Sequence, residues 1–193
     1  MRNMRKVPKS AGLIIILISV CIFGGLLYLV ISYDQARPHY FHHHRRGIAT
    51  SLYNQIMELD LVNDYPATPE RVMDINNKIF LLLHGNMLMD DRLIESLLVQ
   101  QRHLYTDEIL ENLDFDTQYE HWIEMFNSFR EYGTTVFEIS MDSPVRHPLN
   151  NNMLTVEVTK FTNNLGNLRW IYALERADEY SPYKIANWVN TGS

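Results

Sequence analysis

The sequence predicts an α+β protein: an N-terminal transmembrane helix, then helices packed on a four-stranded antiparallel sheet. Three observations predict it. Residues 10–33 carry no charged side chain. Between 47 and 133 apolar residues recur every three to four positions, and between 134 and 193 they alternate with period two. Helices grouped ahead of strands, rather than interleaved with them, give a layer of helix on sheet.

The anchor comes first. Leu13 to Ile31 is an apolar run of 19 residues. As a helix it spans about 28 Å, close to the hydrocarbon thickness of a bilayer. A signal peptide has a shorter apolar core and a small-x-small cleavage site. Here Leu29-Val30-Ile31-Ser32-Tyr33 is too bulky for cleavage, and Val20 is too bulky for lipoprotein processing at Cys21. The segment reads as an uncleaved signal anchor. Arg2, Arg5, Lys6 and Lys9 precede it, and of the basic residues that follow only Arg37 is close behind. Basic residues stay on the cytoplasmic side. The expected order is a cytoplasmic tail (1–9), a single-pass anchor in the cell membrane (10–33), a neck (34–46) and an extracytoplasmic domain (47–193).

Charge and cysteine usage narrow the setting. Residues 47–193 hold 22 acidic against 10 basic side chains. That balance repels phosphate backbones and excludes nucleic acid as a partner. Cys21 is the one cysteine, and it lies in the anchor, so the outer domain has neither disulfide nor thiolate chemistry. There is no Asn-x-Ser/Thr sequon. Secreted eukaryotic domains of this size usually carry disulfides, so the expectation is a bacterial surface.

Each element has its own signal. Ile48, Leu52, Ile56 and Leu59 form an apolar stripe from Gly47 onward. Thr68 caps a second helix with Pro69 in its first turn, and Val72, Ile75, Ile79, Leu82 and Leu83 share a face up to Gly85-Asn86. A third helix runs from about Asp90 to Leu104, and a short fourth starts at Thr106. A fifth begins at Asp116, carries Tyr119, Trp122, Ile123, Phe126 and Phe129, and stops at Gly133. Four strands follow. Thr134 to Met141 puts Phe137, Ile139 and Met141 on one side. Met153 to Thr162 joins Leu168 to Leu174 through a hairpin at Asn163-Asn164-Leu165-Gly166-Asn167. Ile185 to Val189 is last.

The neck contains His39, His42, His43 and His44, a composition able to bind transition metals. A run beside Pro38 on a tether lacks the fixed geometry and second-shell partners of a folded site, so no metal is expected. An interfacial collar fits better. Tyr33, Tyr40 and Phe41 suit the headgroup zone, and Arg37, Arg45 and Arg46 meet lipid phosphates. The bilayer is thus the first expected partner, with a contact that strengthens as the histidines protonate.

Helices followed by an antiparallel sheet ending in a Trp-containing strand resemble the cystatin-like cone of the nuclear transport factor two-like superfamily. The chain also resembles uncharacterised single-pass proteins of clostridia-like bacteria, a domain-of-unknown-function family. Tyr65-Pro66-Ala67-Thr68-Pro69 and Tyr183-Lys184-Ile185-Ala186-Asn187-Trp188 carry that resemblance. It implies a curved sheet around a pocket and a membrane location, with no catalytic residue to transfer.

Alternation sends Glu138 and Glu157 to the solvent face and leaves Tyr172, beside Trp170, as the one reactive group expected to line the cone. His121-x-x-Glu124 lacks the second histidine of a zinc hydrolase motif. The expected function is therefore non-enzymatic and cofactor-free: an envelope component that binds another envelope protein or a second copy of itself. The alternative is a ligand-binding module with Trp170 and Tyr172 lining an apolar pocket; an enzyme of unknown class ranks third. An open apolar pocket favours the ligand, whereas a cone filled by its own side chains favours the scaffold.

Overall fold

The computed structural model describes residues 47–85 and 91–192. The expected anchor and the collar residues Tyr33, Arg37, Tyr40, Phe41, Arg45 and Arg46, with the histidine run, lie outside the described residues. Among those described, no helix is long and apolar enough to cross a membrane.

The fold is α+β. Helix α1 covers 47–57. It is followed by α2 (Pro69–His84), α3 (Asp91–Arg102), α4 (Asp107–Asn112) and α5 (Phe115–Glu131). Five strands complete the chain: β1 (Val136–Met141), β2 (Val145–His147), β3 (Asn150–Thr162), β4 (Asn167–Glu175) and β5 (Lys184–Gly192).

Helix α2 forms where its signals put it. The Thr68 hydroxyl accepts the Arg71 N–H at 3.3 Å, and Pro69 occupies the first turn. Val72, Ile75, Ile79, Leu82 and Leu83 are all buried; burial of one such side chain contributes about 1.5–3 kcal/mol. The helix packs against α3, α5, β1 and β5. At its end the Gly85 N–H donates to the Leu81 carbonyl at 2.7 Å with φ −76°, so this stop does not use a left-handed glycine. Helix α5 starts one residue earlier than the sequence suggested. The Asp114 carboxylate accepts the Thr117 N–H at 2.9 Å and its hydroxyl at 2.6 Å. Gly133, with φ 61°, ends that segment in a conformation other residues adopt only at a cost.

The sheet has five antiparallel strands rather than the expected four, in the order β1-β3-β4-β5 with β2 also paired to β3. Strand β2 is three residues long, too short to show an alternation. A second correction concerns Phe137. A bulge between Val136 and Glu138 turns its ring to the outer face, against Phe161 at 6.4 Å, while Ile139 remains opposite Lys160.

The 13-residue β3 organises the rest. Its even-numbered positions from Leu154 to Thr162 are all buried. Val156 pairs with Tyr172, and Val158 with Trp170. On the next strand Tyr172 pairs with Trp188. The connection after α3 is stitched to β5: the Ile185 N–H donates to Leu104 O at 2.8 Å, and the Thr106 N–H to Ile185 O at 3.0 Å. The core lies between the buried faces of α2 and α3 and this inner sheet face.

Candidate ligand pocket

Helices and sheet do not fill the space between them. A cavity of about 380 Å³ remains. Its sheet wall is Lys160, Trp170, Tyr172 and Trp188. Asn76 and Phe80 of α2, Gln101 of α3 and Tyr105 form a second wall, and Thr117, Gln118, His121, Trp122 and Met125 of α5 form a third. Thr117 and His121 are exposed, which places them at the mouth. All three tryptophans of the chain line this cavity. Tyr105 stacks on Trp188 with ring centroids 5.3 Å apart.

Trp170 and Tyr172 thus both face the cavity, Tyr172 buried and Trp170 half-buried. The expectation that Tyr172 is the one reactive group there is corrected by Lys160. Two residues beyond Val158 on the same face of β3, this lysine has no exposed surface. Its Nζ donates to Tyr172 Oη at 3.1 Å. It also lies 3.4 Å from the centre of the Phe80 ring and 4.2 Å from that of Trp170. Removal from water pushes its pKa well below the ordinary lysine value. Burial likewise pushes the Tyr172 and Tyr105 phenols up. The alternation that runs through Leu154, Val156 and Val158 continues to Lys160 and is the sequence signal that finds it.

A chain of amides holds the far wall. Gln101 Nε2 donates to Asn76 Oδ1 at 2.9 Å. Gln118 Nε2 reaches Gln101 Oε1 at 3.4 Å, and Arg102 donates to Gln118 Oε1 and to Leu113 O, each at 2.9 Å. These contacts tie α3 to α5 and fix the cavity's width.

His84, at the end of α2, is buried beneath this site. Its ring stacks on Trp122 at 5.0 Å and lies against Phe80 at 4.3 Å and Phe129 at 4.6 Å. Neither ring nitrogen has a hydrogen-bond partner among the described residues. Burial, with a smaller contribution from the Lys160 charge, holds its pKa down at about 3. His121 and Glu124 are both exposed on α5. Among the described residues, no three His, Cys, Asp or Glu side chains gather as a metal site.

The arrangement can bind. It offers flat aromatic walls, one deep amine and a few fixed amides, the usual make-up of a small-molecule pocket. A family model described as a domain of unknown function (DUF6715) matches residues 1–188. No curated protein and no solved structure matches the chain.

Proposed function

The chain belongs to that family, whose description names no activity, and we propose that it is a membrane-tethered, non-enzymatic binding module whose pocket holds a small apolar molecule. The observation that carries this reading is the open cavity of about 380 Å³ walled by Trp122, Trp170, Trp188, Tyr105 and Phe80. Ligand sites are typically about 300–1,000 Å³ and mostly apolar. A cavity of this kind supports the ligand reading over a scaffold whose own side chains fill the cone. Binding fits better than catalysis, because Lys160 and Tyr172 are bonded to each other and, among the described residues, no carboxylate lines the cavity to act as a base. Helices followed by an antiparallel sheet, with a pocket between, support the cone reading of nuclear transport factor two-like domains. The apolar stretch 10–33 supports the tether and a bacterial cell membrane as its location.

The full chain in nanodiscs, titrated with N-phenyl-1-naphthylamine, tests this. A saturable fluorescence rise is expected, and Met125→Trp, which fills the cavity, is expected to weaken it at least tenfold. No saturable rise, or an unchanged one in Met125→Trp, overturns the reading.

An assembly role is the second reading. Phe137 and Val189 are exposed on the outer face of the sheet, remote from the pocket side, and offer apolar contact to an envelope protein or a second copy. Crosslinking of the full chain in membranes, with Phe137→Ser as the control, tests that contact.

A further inference from the structure

The cavity differs in electrical character from the domain that contains it. The domain carries 22 acidic against 10 basic side chains, yet among the described residues no aspartate or glutamate lines the cavity. Its basic members are His121 at the mouth and Lys160 at full depth.

Two hydrogen-bond donors of the lining, on Lys160 and Trp170, are also short of partners among the described residues. An ammonium group has three donors. Lys160 Nζ gives one to Tyr172 Oη at 3.1 Å and otherwise meets the faces of Phe80 and Trp170. Among the described residues no carboxylate pairs with it. Trp170, in the same lining, has its indole N–H buried with no acceptor among the described residues. Buried donors without partners are costly, and a buried charge without an opposite one more so.

We propose that the pocket takes a flat organic acid, its planar body between the aromatic walls and its carboxylate against the Lys160 amine. This rests on the pocket reading above and adds the chemical class of the ligand. A carboxylate supplies the acceptor that both Lys160 and Trp170 lack. It also reverses the effect of burial on the amine, since an opposite charge close by favours the protonated form. The pairing is then charge-assisted, the stronger kind of hydrogen bond. The walls select shape: Trp122 and the Tyr105–Trp188 stack offer ring faces to a planar guest. The acidic exterior repels an anion at long range, but salt screens that surface field, whereas a contact to the buried amine is screened much less.

Calorimetry on the full chain in nanodiscs tests it with 4-phenylbenzoate and 2-naphthoate, each against its neutral carboxamide. In the unaltered chain each acid is expected to bind at least tenfold tighter than its amide. In Lys160→Met that preference is expected to vanish while N-phenyl-1-naphthylamine still binds, which shows that the pocket is intact. Equal affinity of acid and amide in the unaltered chain overturns the acidic ligand, and this comparison stands even where Lys160→Met fails to fold. A preference that survives Lys160→Met overturns the role of that amine. Decanoate binding tighter than both arene acids overturns the planar body. If neither acid nor amide binds and N-phenyl-1-naphthylamine also fails, the pocket reading itself falls.

Discussion

Replacing Lys160 with methionine makes the domain more stable at neutral pH and removes a dependence on pH that the unaltered chain carries. Methionine keeps the unbranched shape and approximate volume, so the site neither opens nor overfills. The buried Tyr172 hydroxyl loses its hydrogen bond from Lys160, a cost of about 1–3 kcal/mol. Against this stands the lysine's own burden. Its pKa is lowered in the folded chain from an ordinary value of 10.5. The unfolded state therefore binds more protons, and stability rises with pH between the lowered value and 10.5. Where the folded amine is neutral and the unfolded one charged, the slope is about 1.4 kcal/mol per pH unit. Between pH 7 and 9 the unaltered chain should therefore gain stability relative to the variant. Ionisation of Tyr65 and Tyr105, whose pKa values burial raises, acts nearly equally on both proteins and cancels in the difference. His84 stays neutral throughout this range. Urea unfolding at pH 7, 8 and 9, followed by tryptophan fluorescence, measures the difference. Lys160→Met should be the more stable at pH 7, with a gap that closes as pH rises. Parallel stabilities would show that the rings of Phe80 and Trp170 hold the amine charged, and the reasoning from desolvation would fail.

Three further outcomes are expected. His84 has a folded pKa of about 3 against an ordinary 6.5, so stability is lost as pH falls below 6.5; His84→Phe, which keeps a ring against Trp122, should remove about 2 kcal/mol of that loss at pH 5, read from melting at pH 7 and 5. Gln101→Met leaves the buried Asn76 Oδ1 without its 2.9 Å donor and should cost about 1–3 kcal/mol in urea unfolding. Gly133→Ala forces a side chain to φ 61° in otherwise open space and should cost about 1 kcal/mol, seen as a lower melting temperature without loss of probe binding.

The helical half of the domain was legible because each signal is local. The Thr68-Pro69 start of α2 and the stripe from Val72 to Leu83 depend only on neighbouring residues, and the structure keeps them. The sheet was legible where alternation runs long, as in β3 and β4. It was not legible at β2, whose three residues pair only because β3 extends past β1. Nor was it at Phe137, where one bulge reverses the face of a side chain. Trp170 and Tyr172 follow from period two alone. Lys160 obeys the same period, yet its charge argues for the solvent face, and what keeps it inside is Phe80, 80 residues earlier in the chain. The amide chain from Asn76 to Gln118 joins three helices and leaves no pattern in any one of them.

The stitch between Leu104, Thr106 and Ile185 has a consequence for when the site comes into being. The stacked rings of Tyr105 and Trp188 join two walls of the cavity from segments far apart in the chain, and Trp188 lies on the final strand. During synthesis the helices and the first four strands leave the ribosome before that junction exists. Without β5, the cavity lacks Trp188 and Tyr105 lacks the ring it stacks on. A guest held there meets both α2 and the final strand. Occupancy then acts as a clasp on the last strand, raising the work needed to peel it away in proportion to the logarithm of guest concentration.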